Sequence, residues 1–598
     1  MDRNQATGLV LIFGILFVYF TFLAPKPEDL PPVKKTKDSL KTQAPAKVNQ
    51  TQLAIQNLQS SGLSNTLVEI DTIPVWIENE DLKIKISPIG ARIAEVELKK
   101  FKTWDAKPLK LITEGRSEQK ISIPVNGKLL NVSLLPFTSA KEDVKLTKDS
   151  VEVVFKYFLP GSGSISQRFS ILTKGYQLKY QLSTTGIDFP DKAQAEYYIN
   201  LNANQLEKDI EQNRTTTSIN YFSSTEGFNN LSETSLTEEK ADLTNPTDWL
   251  SFKQKFFNLG IIGNVPFSKA VIRQKTNELD SQSVKLLEAG ITMPIQQNAF
   301  GFRYFFGPNE FRLLKTVAPD YDKNVYLGWP VINLVNRFIT VNVFYWLEGV
   351  VSSYGVIIII LVLLIKLLLF PLSYKSYISM AKMKVLKPEL DEIKARTGDD
   401  MQKAQAEQMK LYQQVGINPL SGCIPLLLQM PILLAMFNFF PNAIELRQQS
   451  FWWAPDLSTY DSIATLPFSL PGYGDHVSLF TILMTASTLV LTWYNNQTST
   501  VAGPMQSMSY IMPVVFMFIL NSLPAGLSFY YLVSNVVSIV QQQFIKRFVD
   551  EGNLRKKLED NKVKNANKKK TGFAARLEEA MRIAQDTQKE KDKQKKGK

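Results

Sequence analysis

The sequence predicts an α+β membrane protein with an N-terminal anchor helix, an extracytoplasmic β-sandwich and a five-helix transmembrane core that carries a cytoplasmic helical hairpin. Apolar residues collect in one run near the N-terminus and in a dense series after about residue 350, in windows of about 20 residues that suit a bilayer core. Between them, apolar and polar residues alternate from about Leu67 to Leu314, with turn signals at Asn126-Gly127 and Lys174-Gly175. Many short strands at close spacing favour a β-sandwich.

These patterns divide the chain into six regions. They are an anchor (1–24), a flexible linker (25–66), the β-sandwich (67–314), an interfacial helix (315–350), the five-span core (351–545, with its hairpin at 375–416) and a basic tail (546–598). The first apolar run, Gly8 to Leu23, fits a cleavable signal peptide or a signal anchor. We favour the anchor because Pro25 directly follows the candidate cleavage residue Ala24 and no lipobox cysteine is present.

The segment from Trp329 to Thr340 predicts an amphipathic helix at the membrane surface. Its polar residues recur at i, i+3, i+4 and i+7, with apolar residues opposite them: Asn333, Asn336, Arg337 and Thr340. Trp329 and Trp346 are suited to anchor it among lipid headgroups. The alternative, a spanning helix, would bury Arg337, which is costly.

Five further apolar segments predict the spans of the core: Tyr354 to Tyr374, Leu420 to Phe440, Val477 to Trp493, Met508 to Leu523 and Leu527 to Ile545. With the anchor this makes six, so both termini lie on one side. The tail carries 18 basic and 9 acidic residues, and the loop Lys375 to Lys410 carries 8 and 6, whereas Arg447 is the only Lys or Arg between Pro441 and His476. This bias places the termini in the cytoplasm. A solvated tail and a tail that binds ribosomal RNA or anionic lipid are equally compatible with the charge.

Two residue counts and one missing motif exclude whole classes of enzyme. Cys423 is the only cysteine and His476 the only histidine, which excludes intramolecular disulfides and multi-histidine metal sites. His476 is interpreted as a solvent-facing loop residue rather than a catalytic base. No phosphate-binding loop of the G-x-x-x-x-G-K-[ST] type occurs, so we expect no cofactor and no nucleotide hydrolysis.

Lys366 is the candidate functional residue, because it stands near the midpoint of the first predicted core span. A cation there costs about 2.5 to 3.5 kcal/mol unless it faces water or a counter-ion. The other spans contain no Asp or Glu, so a water-filled groove explains it better. Uncharged polar residues of the later spans are its candidate lining: Gln429, Thr481, Thr485, Thr488, Thr492, Ser528, Ser534, Asn535 and Ser538. The alternative for most of them is ordinary hydrogen bonding between helices.

The cytoplasmic loop predicts two antiparallel amphipathic helices. Met383, Leu386, Leu390 and Ile393 form a heptad seam, and Gly398 with Asp399 and Asp400 supplies the break between the helices. Either the hairpin packs on itself without a further role, or its methionines, Met380 and Met383, form a mobile surface for apolar segments of other proteins.

Several motifs together resemble the YidC membrane protein insertases. They are Met380-Ala-Lys-Met383, Thr397-Gly-Asp-Asp400, Ile417 to Pro431 (INPLSGCIPLLLQMP), Glu445-Leu-Arg447, and Leu527 to Asn535 (LSFYYLVSN) through Gln541-Gln-Gln543. The resemblance is strong from Phe306 to Val549. An anchor followed by a large β domain is similar to the form of bacteria with an outer membrane, whose periplasmic domain is a supersandwich like that of sugar mutarotases.

The resemblance implies a function and a set of site residues. Lys366 matches the positive groove residue five positions before the proline that ends the span, Pro371 here, although better-known members have arginine. Val362 stands where the family commonly has a threonine. Tyr530 and Tyr531 match paired tyrosines that contact clients, the membrane proteins being inserted. Implied partners are nascent membrane proteins, the ribosome through the basic tail, the Sec translocon and membrane lipids.

Two other functions remain as alternatives to insertion. A secondary transporter or channel would explain a central charge, but it should have inverted repeats, and the sequence has none. A membrane-tethered carbohydrate enzyme would need acid and base groups in the β domain, and His476 lies outside that domain.

Overall fold

The computed structural model describes residues 73–125, 128–139, 144–146, 149–159, 163–187, 189–277, 280, 282–398, 401–417, 424–470, 473–498 and 504–565. The predicted anchor and linker, Asp399, Asp400, Cys423 and the tail beyond residue 565 lie outside the described residues. The described residues form two compact units. One contains residues 73–326 and 442–445, and the other contains 327–441 and 446–565.

The first unit is a β-sandwich whose described strands all pair antiparallel. They are β1 Val75–Glu78, β2 Leu82–Ser87, β3 Arg92–Lys102, β4 Pro108–Ile112, β5 Ser117–Val125, β6 Lys128–Asn131, β7 Val144–Leu146, β8 Ser150–Phe158, β9 Ser164–Leu172, β10 Gln177–Thr185, β11 Gln194–Asn204, β12 Ser218–Ser223, β13 Gly227–Asn230, β14 Glu239–Leu243, β15 Thr247–Lys253, β16 Phe257–Phe267, β17 Lys269–Lys275, β18 Ser283–Pro294 and β19 Ala299–Pro308. Short helices α1 (Ile210–Thr216) and α2 (Phe311–Leu314) and 3-10 turns at Val132–Leu134 and Tyr321–Asn324 connect them.

The described strands of this unit form three sheets. A nine-stranded sheet has the order β13-β12-β15-β16-β19-β10-β9-β8-β7, a six-stranded sheet the order β14-β17-β18-β11-β5-β6, and a four-stranded sheet the order β1-β2-β3-β4. The two larger sheets meet through their inner faces, where Tyr197 of β11 packs against Phe302 of β19 and its hydroxyl lies 2.8 Å from that of Tyr304. Phe101 of β3 contacts Phe257 of β16 edge-on, which attaches the smallest sheet to the same core.

The alternation seen in the sequence follows from this packing, because successive side chains of a strand point to opposite faces. β2 alternates buried and half-buried residues throughout, and β10 alternates buried residues with exposed or half-buried ones. β16 departs from alternation, since six consecutive residues from Phe257 are buried. The segment after β19, which contains Tyr321, packs on β16. The Tyr321 hydroxyl donates to Asn258 Oδ1 at 2.6 Å and fills the space where a Cβ on Gly260 would lie.

The second unit is helical. Its described helices are α3 Pro330–Val335, a π-helical turn Asn336–Thr340, α4 Val341–Glu348, α5 Tyr354–Leu368, α6 Phe370–Val385, α7 Lys387–Thr397, α8 Met401–Val415, α9 Ile424–Phe439, α10 Leu479–Thr498, α11 Pro504–Leu520, α12 Ala525–Phe548 and α13 Glu551–Asn565. A hairpin of β20 (Ala464–Leu470) and β21 (Gly474–Val477) precedes α10, and 3-10 turns follow α9 at Phe440–Asn442 and Ile444–Leu446.

By length and composition, α5 and α6 together could cross a bilayer, although a 62° bend separates them, and no other described helix could do so alone. The segment predicted as the first core span, Tyr354 to Tyr374, is therefore bent rather than straight. Proline disfavours helical geometry at the residue before it, and Pro371 stands in the first turn of α6, directly after the bend. Lys366 consequently lies in the last turn of α5 rather than near the middle of a straight helix.

The amphipathic segment before α5 turns its polar side inward. Asn336 and Thr340 are buried, and the Asn336 side-chain amide donates to the carbonyl oxygens of Leu327 at 3.0 Å and Ala435 at 2.8 Å. Its apolar side is exposed instead, through Trp329, Val331, Leu334, Phe338, Ile339 and Trp346. An exposed apolar stripe backed by buried polar contacts is the arrangement expected of a helix that lies against lipid.

Candidate functional site

Lys366 is held by a hydroxyl group. Its Nζ donates to Ser538 Oγ of α12 at 2.8 Å, and Ser538 Oγ donates in turn to the Ser534 carbonyl oxygen at 2.8 Å. The side chain is half-buried, and among the described residues no carboxylate forms an ion pair with it. A charged ammonium with one neutral partner keeps two donor positions for water or for an acceptor that enters the site.

A polar ladder joins α12 to α10 beside this contact. Its three pairs are Ser528 with Thr481 (3.2 Å), Asn535 with Thr488 (2.8 Å) and Gln542 with Asn495 (3.0 Å). The pairs recur every seven residues on both helices and in the same direction, so α10 and α12 run parallel. Asn535 also donates to Ser487 Oγ at 3.0 Å.

The ladder separates the predicted lining residues into two groups. Asn535 and Thr488 bond across the helix interface, and Thr485 is buried and donates to the Thr481 carbonyl oxygen of its own helix at 2.8 Å. Lys366 and Ser538 form the other group, on the side of α12 that contacts α5. Hydrogen bonding between helices, the alternative interpretation for these residues, describes Thr488, whereas Thr485 bonds within its own helix.

The remaining predicted groove residues differ in exposure. Val362, one turn before Lys366, is buried, and Gln429 of α9 is half-buried. Tyr530 is buried and its ring lies 5.4 Å from that of Phe440, while the half-buried Tyr531 packs edge-on against Phe437 at 5.6 Å. The Tyr531 hydroxyl oxygen is buried without a hydrogen-bond partner among the described residues. Leaving such a group unpaired costs about 1–3 kcal/mol, which favours a site that admits water or a client's polar group.

The hairpin predicted at 375–416 packs on itself around one apolar seam. Met383, Leu386, Leu390 and Ile393 contribute one side, Leu411, Tyr412, Val415 and Ile417 the other, and Met380 packs against its edge. Met383 is therefore part of the hairpin core. Of the other two predicted hairpin residues, Asp399 and Asp400, the structure gives no placement.

One contact of the hairpin was not predicted from the sequence. Leu558 of α13, in the first part of the basic tail, is buried in the same seam, and Asn561 donates to the Val415 carbonyl oxygen at 3.4 Å. Leu554 and Leu558 stand at i and i+4 in an otherwise charged segment. That spacing is the signal that could have predicted a docked helix.

A buried polar cluster at the beginning of α10 was also missed. Asp461 accepts hydrogen bonds from Trp453 Nε1 (2.8 Å), Phe480 N (3.0 Å) and Ser478 Oγ (2.5 Å), and Ser478 Oγ accepts from Thr481 N at 3.1 Å. Ser478 thus caps α10, and Asp461 satisfies a further amide of its first turn. A serine directly before an apolar run is the sequence signal for such a cap.

The interpretation of His476 as a solvent-facing residue is wrong. Its ring is buried, stacks on Tyr460 with centroids 3.7 Å apart, and places Nε2 3.0 Å from the Asn521 carbonyl oxygen. Asn521, also buried, donates to the His476 and Tyr473 carbonyl oxygens. The β20–β21 hairpin packs this histidine against the end of α11, a contact that loop composition does not reveal.

Comparisons with known proteins extend over nearly the whole chain. The sequence profile of the family described as "60Kd inner membrane protein" matches residues 346–552, and that of the "YidC periplasmic domain" matches residues 74–345. The chain is 43% identical over 598 residues to the membrane protein insertase YidC of Amoebophilus asiaticus, covering 98% of this chain and 99% of that protein. It is 44% identical over 627 residues to the membrane protein insertase YidC of Cytophaga hutchinsonii, covering 98% of each.

The chain also matches a solved structure, the crystal structure of an active YidC insertase with its first transmembrane domain resolved. The match has 19% sequence identity and a TM-score of 0.32, and it covers 82% of this chain and 96% of that one. A likeness at that level carries no argument by itself. The sequence relatives do, because identity above 40% extends over almost the full length of both proteins. The chain therefore belongs to the YidC membrane protein insertases, a family of inner membrane proteins.

Proposed function

We propose that this insertase moves polar parts of a client into the membrane through a hydrated groove at Lys366, without hydrolysing nucleotide. The observation that carries the proposal is the Lys366 ammonium, which is half-buried, bonded to the Ser538 hydroxyl and without a carboxylate partner among the described residues. A cation in that state attracts an acidic or polar segment of a client. The barrier to crossing falls because the client's polar groups are never fully desolvated.

The lateral exit is proposed from the residues that α12 carries. Ser538 bonds to Lys366 and the Tyr531 hydroxyl has no partner among the described residues, so one helix offers a polar contact and an aromatic side chain to a client. Asn535 and Tyr530 support the same helix through their contacts with Thr488 and Phe440. The client's apolar helix leaves the groove along α12 into lipid, and burial of its apolar surface at about 25 cal/mol per Å² drives the step. We include Val362, one turn before Lys366, and the half-buried Gln429 in the proposed wall, and we assign the buried Thr485 a supporting role within α10.

We assign this chain six spans, with the N-terminus, the hairpin and the C-terminus in the cytoplasm and the β-sandwich in the periplasm. The parallel ladder between α10 and α12 supports this topology, because two parallel helices joined through α11 must begin on the same side. The excess of Lys and Arg in the hairpin loop and the tail supports the same orientation.

The partners we propose are nascent membrane proteins, the Sec translocon, the ribosome and membrane lipids. The tail has a net charge of +9, which suits the phosphates of ribosomal RNA or of anionic lipid. Because α13 docks on the hairpin, a ribosome bound to the tail would lie beside the cytoplasmic entrance. The Sec translocon is proposed from the family resemblance alone.

The test is insertion by the purified protein in proteoliposomes, with two clients that differ only in whether the translocated tail is acidic or neutral. Lys366→Ala should slow insertion of the acidic client more than that of the neutral client, and Lys366→Arg should preserve both. Lys375→Ala is the matched control, since Lys375 is an exposed cation on α6. Unchanged insertion of the acidic client by Lys366→Ala would remove the charge from the mechanism.

A further inference from the structure

Trp452 has a backbone conformation that its side chain disfavours. It follows Phe451 in a tight turn closed by two hydrogen bonds, from Phe451 N to the Ala454 oxygen at 2.9 Å and from Ala454 N to the Phe451 oxygen at 3.0 Å. Its φ is +52°, in the left-handed region that turns of this kind usually give to Gly, Asn or Asp. A bulky residue there costs conformational free energy, and such a cost is a reason to look for a function.

The strained residue does not bury its side chain. The Trp452 indole is 66% exposed, and its inner face stacks on Phe451 at 4.9 Å and lies edge-on to Phe529 at 5.4 Å. A tryptophan that only completed the core would be buried by these contacts. The turn instead presents the ring outward on an aromatic support.

The support joins the beginnings of three helices. Phe529 is in the first turns of α12, and Phe480, which contacts Trp453 at 4.4 Å, is in the first turn of α10. Phe451 packs so closely on Gly355, in the first turn of α5, that a Cβ there would lie 2.1 Å from its ring. Trp452 therefore stands at the level at which α5, α10 and α12 all begin.

The turn is fixed rigidly to that level. Asp461, which is 1% exposed, accepts hydrogen bonds from Trp453 Nε1 at 2.8 Å and from the backbone amide of Phe480 at 3.0 Å. The same carboxylate thus holds the residue after Trp452 and the first turn of α10. A change in the depth of Trp452 would require this buried contact to break.

The surrounding loop, Pro441 to His476, exposes apolar side chains and no basic one. Arg447, its only Lys or Arg, is buried, and Ile463, Phe468 and Leu470 are exposed. Tryptophan concentrates at the interface between hydrocarbon and water, where its ring has an apolar environment and its N–H meets polar headgroups.

We propose that Trp452 is a lipid anchor whose indole inserts among the headgroups of the leaflet at which α5, α10 and α12 begin. The inference rests on the proposed placement of these helices in the bilayer. Because Phe451 and Phe529 link the indole to α5 and α12, the anchor fixes the depth of the two helices that carry Lys366 and Ser538.

The test is fluorine NMR of the full chain labelled with fluorotryptophan in nanodiscs. The chain has 8 tryptophans, and the resonances of Trp452, Trp493 and Trp104 are assigned by their loss in Trp452→Phe, Trp493→Phe and Trp104→Phe. A lipid spin-labelled near the headgroup and a water-soluble paramagnetic chelate are added separately. Trp452 should lose intensity with the labelled lipid, whereas Trp104, which is 50% exposed in the β-sandwich, should lose it with the chelate.

Trp493 separates failure of the anchor from failure of the membrane placement, because it is 54% exposed on α10. If the labelled lipid affects Trp493 but not Trp452, the anchor is wrong and the placement of α10 stands. If neither is affected, both proposals fail. Loss of Trp452 intensity with the chelate alone would place the indole in water and overturn the anchor.

A pair of glycine variants tests whether the exposed indole serves folding instead. Trp452→Gly should unfold at the same or a higher temperature than the parent, because glycine adopts the positive φ without strain. Trp453→Gly is the matched control and should unfold at a lower temperature, because it removes the bond to Asp461. An equal loss of thermal stability in both variants would assign Trp452 to folding and contradict the proposal.

Discussion

Ser538→Ala tests whether the site around Lys366 is wet. The substitution removes the hydroxyl that accepts the 2.8 Å hydrogen bond from the Lys366 ammonium. It changes little else, because the other partner of Ser538 Oγ among the described residues is the Ser534 carbonyl oxygen one turn earlier. Removing a partner from a buried charged group costs about 1.5–3 kcal/mol when nothing replaces it. When water reaches the group, it replaces the lost bond at little cost.

The half-buried state of Lys366 decides between these magnitudes. If water reaches the ammonium, Ser538→Ala should lower the free energy of unfolding by less than about 1 kcal/mol. If the ammonium lies in dry hydrocarbon, Ser538→Ala should lower the free energy of unfolding by about 1.5–3 kcal/mol, because Ser538 is its hydrogen-bond partner among the described residues. The two outcomes are far enough apart to be measured.

The measurement is a double-mutant cycle of Lys366→Met and Ser538→Ala. Unfolding by SDS in mixed micelles, followed by circular dichroism, gives the apparent free energy of unfolding of the parent, both single variants and the double variant. The expected coupling energy is below about 1 kcal/mol. A coupling of about 2 kcal/mol or more would mean that the ammonium depends on one hydroxyl in a dry site, and the hydrated groove would be refuted.

Three further predictions concern the ladder, the docked tail and the β-sandwich. Asn535→Leu should lower the free energy of unfolding in the same SDS assay by only about 1 kcal/mol, because it removes two interhelical hydrogen bonds averaging about 0.6 kcal/mol each. Ser487 and Thr488 keep their own bonds to the Met484 oxygen, so neither hydroxyl is left unpaired. A loss several times larger would contradict this prediction. Leu558→Glu should detach α13 from the hairpin, so that amide exchange across residues 551–565 becomes fast while exchange in α5 is unchanged; slow exchange in α13 would disprove the docking. The Lys285 Nζ donates to the Thr217 and Glu233 carbonyl oxygens, and burial lowers the pKa of Lys285 to about 8. The folded state therefore holds fewer protons than the unfolded state between about pH 8 and 10.5. Stability of the β-sandwich should therefore rise by about 1.5 kcal/mol from pH 8 to 9.5. Urea unfolding with pulse proteolysis of the full chain measures the rise, and Lys285→Met should abolish it.

Local patterns were enough to predict the elements that repeat along the chain. The alternation from Leu67 to Leu314 predicted a β-sandwich, in which β2 alternates buried and half-buried residues. The heptad spacing of Met383, Leu386, Leu390 and Ile393 predicted one side of the hairpin seam. These patterns are readable because a strand or an amphipathic helix buries one face whatever its partner is. The sequence also identified Lys366 as an isolated cation in an apolar segment, because that property depends only on the neighbouring residues.

Three features of the structure depend on residues that are far apart in the chain. They are the contact of Lys366 with Ser538, the contact of Leu558 with the hairpin and the burial of His476. In the first of these, 172 positions separate the two residues. The hydroxyl that meets the ammonium is set by the packing of α12 against α5 and α10, which leaves no local signal that names the partner. Composition and periodicity therefore assign each element its buried face, while only helix packing decides which polar groups satisfy one another and which stay open to water.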